Sequence, residues 1–79
     1  MNQLILYYQP DCHLCDDAEV LMHDAGLVGA YQKVDIETDL ELLKRYGIHV
    51  PVLQRVDDQK ELFWPFDLVG LAAFVEAAK

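Results

Sequence analysis

The sequence predicts an α/β fold in which three helices cover a mixed four-stranded sheet. Three observations carry that expectation. Short continuous apolar runs alternate with segments of helical spacing, which is the pattern of strand–helix–strand units around a parallel pair. Two further apolar runs late in the chain flank the polar stretch Asp57-Asp58-Gln59-Lys60, as in a hairpin that adds an antiparallel edge strand. The chain of 79 residues is sized for one domain, residues 1–79, with no repeat, linker or low-complexity segment. The expected order is β-α-β-α-β-β-α.

Gln3 to Tyr8 is rich in Leu, Ile and Tyr without helical period, and it reads as a strand buried on both faces. Cys12 to Ala25 reads as a helix, with Cys15, Ala18, Val20, Leu21, Met22 and Ala25 at roughly helical spacing. Asp11 is the expected N-cap and Gly26 the expected C′ residue. Tyr31 to Ile36 alternates as a strand, Val34 and Ile36 facing opposite to Lys33 and Asp35. Thr38 and Glu41 form a capping box for a second helix. Leu40, Leu42, Leu43 and Tyr46 are its expected apolar side and Gly47 its end. Pro51–Val56 and Glu61–Trp64 are the hairpin strands. Asp67 caps a last helix that places Leu68, Leu71, Phe74, Val75 and Ala78 on one face.

Charge excludes whole classes of partner. Acidic residues outnumber basic ones 14 to 6, for a net charge of −8. Nucleic-acid binding needs Lys and Arg against phosphates, and anionic lipid likewise attracts basic surfaces. Neither is expected. Leu4–Tyr8 is far too short to span a bilayer, and Met1-Asn2-Gln3 does not open like a signal peptide. A soluble, cytoplasmic monomer is therefore expected.

The chain has two cysteines, Cys12 and Cys15. A bridge this short restrains the unfolded chain very little, so stapling explains the pair poorly. A lone C-x-x-C in such a chain is more often redox-active or metal-binding. Structural zinc wants four ligands, and beyond these thiols only His13, His23 and His49 offer nitrogen. No metal site is expected within the chain. Position is more telling than the motif. The pair falls just after the first strand, at the start of the first helix, where unpaired N–H groups and the helix dipole favour thiolate over thiol. Asp11, Asp16, Asp17 and Glu19 oppose that activation, and a protonated His13 would assist it.

Cys12-x-x-Cys15 after a first strand, with Tyr46-Gly47-Ile48-His49-Val50-Pro51-Val52-Leu53 before the hairpin, resembles the glutaredoxin and thioredoxin superfamily. The length is most similar to short glutaredoxin-like relatives, and the similarity runs from Leu4 to the last helix. The resemblance implies a minimal thioredoxin-like fold and thiol–disulfide oxidoreductase activity, with Cys12 as nucleophile and Cys15 as resolving thiol. It implies that Pro51 is a cis-proline and that Val50 offers its backbone to an extended thiol substrate. It further implies that Asp67 helps to hold the amine of glutathione, a candidate reductant, and His13 joins the candidate site from within the motif. No cofactor is expected to be bound, and the substrate class is a protein or small-molecule disulfide. The alternative is a non-catalytic binding module of the same fold, holding a partner protein or a shared metal cluster, with Phe63 and Phe66 as an apolar rim.

The chain also departs from both branches. His13-Leu14 stands where glutaredoxins usually carry Pro-Tyr, and Gln9-Pro10-Asp11 offers no lysine before the first cysteine. Trp64-Pro65-Phe66 replaces the Gly-Gly bend before the last helix. Leu6 stands where thioredoxins keep a buried carboxylate. Glutathione is anionic, so the acidic residues around the motif disfavour it unless Lys44 or Arg45 reaches over.

Overall fold

The apolar run near the start of the chain becomes a central strand because both of its faces find a cover. In the computed structural model, which describes residues 4–76, that run is β1 (Leu4–Tyr8). It is followed by α1 (His13–Asp24), β2 (Tyr31–Asp35), a 3-10 turn at Ile36–Thr38 and α2 (Leu40–Tyr46). Then come β3 (Val52–Arg55), β4 (Glu61–Phe63) and α3 (Leu68–Glu76). The sheet order is β2-β1-β3-β4. β1 is parallel to β2, with Leu4 opposite Tyr31, and antiparallel to β3, with Leu6 opposite Leu53. β3 is antiparallel to β4, with Gln54 opposite Glu61. This is the expected order, and it makes a minimal thioredoxin-like fold. The expected strand start at Gln3 and the place of Ala78 lie outside the described residues.

The period of two along β1 divides the core. Leu4 and Leu6 pack with Leu53, Met22 of α1 and Leu71 of α3. Tyr7 on the other face packs with Val52, Ile36 and Tyr46 of α2. The sheet therefore sits between α1 and α3 on one side and α2 on the other. Leu6, Met22, Leu53 and Leu71 are fully excluded from solvent. Each such side chain contributes roughly 1.5–3 kcal/mol relative to exposure.

Several local expectations hold. α1 ends in a Schellman motif, Leu27 N–H donating to the Met22 carbonyl at 3.0 Å and Gly26 N–H to that of His23 at 3.0 Å. Gly26 takes φ 78°, a region costly for a residue with a Cβ. Gly47 closes α2, donating to the Leu43 carbonyl at 2.9 Å. A Cβ at Gly47 would stand 2.6 Å from that same oxygen, so the turn needs glycine. Val34 and Ile36 do share the α2 side of the sheet, Ile36 from within the 3-10 turn.

Other expectations need correction. The N-cap of α2 is Asp39, whose Oδ1 accepts the Glu41 N–H at 2.8 Å. Thr38 instead donates its hydroxyl to the Asp35 carbonyl, because the 3-10 turn uses up the residues that a capping box at Thr38 would need. Leu40 and Leu43 are exposed, leaving Leu42 and Tyr46 as the buried side of α2. With only seven residues, α2 presents a single narrow stripe to the sheet. Val20 and Leu68 likewise point to solvent.

Candidate functional site

The turn after β1 decides how α1 begins. Asp11 takes the left-handed conformation, with φ 57°, which a short polar side chain tolerates better than most. It is therefore not the N-cap. Cys12 is, in extended conformation, and its Sγ accepts the N–H of Cys15 at 3.1 Å. The Cys12 carbonyl accepts the Asp16 N–H at 3.2 Å. The sulfur thus stands where a Ser or Asp oxygen satisfies the orphan donors of a helix start.

Cys12 and Cys15 are joined by a disulfide, their Cα atoms 5.2 Å apart. Their burial differs. Cys15 is 2% exposed beneath α1, whereas Cys12 is only half-buried. His13, the first residue of α1, faces solvent with its Nε2 3.7 Å from Asp17. Asp11, Asp16 and Asp17 are all exposed around the motif.

β3 brings the second motif to the same end of the sheet. Val52 pairs with Tyr7, so Pro51 lies beside the exit of β1, which leads directly to Cys12. The Val50–Pro51 peptide is cis, as the resemblance implied, and Pro51 is buried. Val50 packs on the α2 side of the core. Trp64 N–H donates to the Pro51 carbonyl at 3.3 Å, drawing the end of β4 to this edge. A second cis bond, Trp64–Pro65, follows at once.

Asp67 does cap α3. Its Oδ1 accepts the Gly70 N–H at 2.7 Å, and its carbonyl accepts that of Leu71 at 2.8 Å. With Leu62, Pro65, Phe66 and Gly70 it lines an open cleft of ≈ 480 Å³. The cysteines are not among its walls. Trp64 and Phe66 meet in a T-shaped pair, ring centroids 5.0 Å apart, and so do His49 and Phe63, at 5.9 Å. Among the described residues no group of three or more His, Cys, Asp or Glu is placed to hold a metal ion.

Three polar arrangements escaped the sequence because each joins residues far apart in the chain. Tyr7 and Tyr46 stack at 4.5 Å, Tyr7 donating to Gln54 Oε1 at 2.8 Å and Tyr46 to the Glu61 carboxylate. Burial, and then the Glu61 carboxylate, push the Tyr46 phenol well above its ordinary value. On the opposite face Glu19 accepts the Tyr31 hydroxyl at 2.6 Å and pairs with Lys33 at 3.0 Å. Burial acts against the Glu19 carboxylate, but those two donors together hold it below its ordinary range. Arg55 is 4% exposed, bonded to Asp58, to the Phe74 carbonyl at 3.0 Å and stacked over the Phe74 ring. A buried arginine in an apolar strand has no periodic signature.

The fold and the disulfide at the head of α1 define a glutaredoxin-like protein of the thioredoxin-like class. The chain belongs to the glutaredoxin-like domain family (DUF836), which matches residues 3–76. The X-ray structure of target protein XcR50 from X. campestris is similar at 43% identity and a TM-score of 0.86, over 96% of this chain and 99% of that one. The solution structure of the same protein agrees, with a TM-score of 0.86. Protein Ne2328 from Nitrosomonas europaea is similar at 25% identity and a TM-score of 0.76, over 91% of this chain and 88% of that one. No curated protein matches the chain.

Proposed function

We propose that the protein is a thiol–disulfide oxidoreductase in which Cys12 exchanges with substrate and Cys15 resolves. The observation that carries this is the asymmetry of the pair. Cys12 is partly exposed at the helix start and its Sγ receives the Cys15 N–H, while Cys15 is buried. In the dithiol form the same N–H would stabilise a Cys12 thiolate, since hydrogen bonds to an ionised acceptor are the stronger kind. The thiolate attacks one sulfur of a substrate disulfide, whose other half leaves as a thiolate and takes a proton from water. Cys15, losing its proton to solvent, then attacks Cys12 Sγ and expels the second substrate thiol. Two electrons pass to the substrate and the Cys12–Cys15 disulfide remains.

The backbone of Val50, beside Pro51, is the proposed seat of an extended substrate. Asp67, with one oxygen engaged in capping α3, and His13, at the head of α1, are the further proposed substrate contacts. The test compares reduction of a neutral disulfide by wild type and by Cys12→Ser. Turnover by wild type that the variant loses supports the proposal. Equal absence of turnover in both makes the chain a binding module instead.

A further inference from the structure

Resting on the exchange chemistry proposed above, we infer that the preferred partner of Cys12 is a thiol or disulfide flanked by positive charge, and that anionic partners are disfavoured. The site is the disulfide itself; the charges around it select what approaches. Asp11 precedes Cys12, Asp16 stands in the first turn of α1 and Asp17 follows it, all exposed. Asp11 and Asp16 make no ion pair among the described residues, and Asp17 meets only His13, at 3.7 Å.

Among the described residues Lys44, in the last turn of α2, forms no ion pair, and four other basic side chains are engaged elsewhere. Lys33, within electrostatic reach of Asp16, is bonded to Glu19 at 3.0 Å and lies 4.5 Å over the Tyr8 ring. Arg55 is buried against Asp58 and Phe74. Arg45 stacks 5.6 Å over the Tyr46 ring, on the α2 side of the sheet. Lys60 sits beside Asp58 in the β3–β4 turn, at the opposite end of β3 from Pro51. A net charge of −8 reinforces the local field. Such fields act chiefly on encounter rates and are screened beyond a Debye length, about 10 Å at 0.1 M salt.

The test uses the reduced full chain and follows single-turnover formation of the Cys12–Cys15 disulfide. The oxidants are cystamine (cationic), hydroxyethyl disulfide (neutral), glutathione disulfide (anionic) and a lysine-flanked peptide disulfide. At low salt the expected order is cationic over neutral over anionic, with cystamine about tenfold or more faster than glutathione disulfide. Raising salt toward 1 M should draw the rates together, as should Asp16→Asn with Asp17→Asn. The ratio of rates is read within each variant, so any change in Cys12 reactivity cancels. A preference shared by cystamine and the peptide makes charge sufficient. A preference confined to the peptide assigns the positive charge to an extended chain. Equal rates, a faster anionic oxidant, or a ratio insensitive to both salt and substitution overturns the inference and leaves the exchange chemistry standing. Failure of all four oxidants, the neutral one included, overturns the exchange chemistry and this inference with it.

Discussion

The backbone N–H of Cys15 donates to the Sγ of Cys12 at 3.1 Å, so one cysteine caps the helix that carries the other. The Cys12 sulfur and the start of α1 are thereby one structural feature. A change in the oxidation state of Cys12 therefore changes the strength of the acceptor at the first turn of the helix.

The same relationship predicts unequal thiols. In the reduced protein iodoacetamide should alkylate Cys12 well before Cys15, which is 2% exposed. Peptide mapping by mass spectrometry reads the order. In Cys15→Ser the mixed disulfide of Cys12 with substrate should accumulate, because no second thiol expels it. Equal labelling, or no trapped adduct, contradicts the assigned roles.

Removing the cap of α3 should weaken the fold without touching the cysteines. Asp67→Ala loses the acceptor for Gly70 N–H, at 2.7 Å, and should cost about 1 kcal/mol in urea unfolding. Asp67→Asn, which keeps a capping oxygen, should recover most of that loss. If both variants unfold like wild type, the cap contributes nothing.

Arg55 should matter more than its place in a hairpin strand suggests. Arg55→Ala strips the cover from the Phe74 ring and leaves the Phe74 carbonyl without its donor, at a cost of about 2–3 kcal/mol. Arg55→Met restores the stem but not the donor, and should fall between the two. An unfolding midpoint within error of wild type for Arg55→Ala would refute this.

Alkali should destabilise the protein through its tyrosines. Burial first, and then neighbouring carboxylates, raise the phenols of Tyr31 and Tyr46; burial and Glu61 raise that of Tyr7. Each folded value lies above the unfolded value of about 10, so the contribution is whole below that pH. It is lost as pH climbs from there toward the folded values, because only the unfolded chain releases those protons. The phenolates of Tyr7, Tyr31 and Tyr46 should therefore appear late, together with unfolding, and the thermal midpoint should fall above about pH 10. Simultaneous ionisation of all the tyrosines near their ordinary value, with the fold intact, would contradict it.

The sequence by itself determined what is local. Strand and helix order, the Gly26 stop, the Asp67 cap, and the placing of Cys12 and Val50-Pro51 at element boundaries all depend on a few neighbouring residues. Tertiary structure decided what depends on who covers whom. Leu40 and Leu43 look like core until a seven-residue α2 leaves them exposed. Tyr7 meets Tyr46, Arg55 meets Phe74 and Tyr31 meets Glu19 only because the sheet order β2-β1-β3-β4 brings separate elements together. The shift of the α1 cap from Asp11 to Cys12 follows from a single backbone rotation at Asp11. Residue type permits that rotation, but only the closing of the β1–α1 turn over the sheet selects it, since local preferences of about a kilocalorie yield to packing worth several.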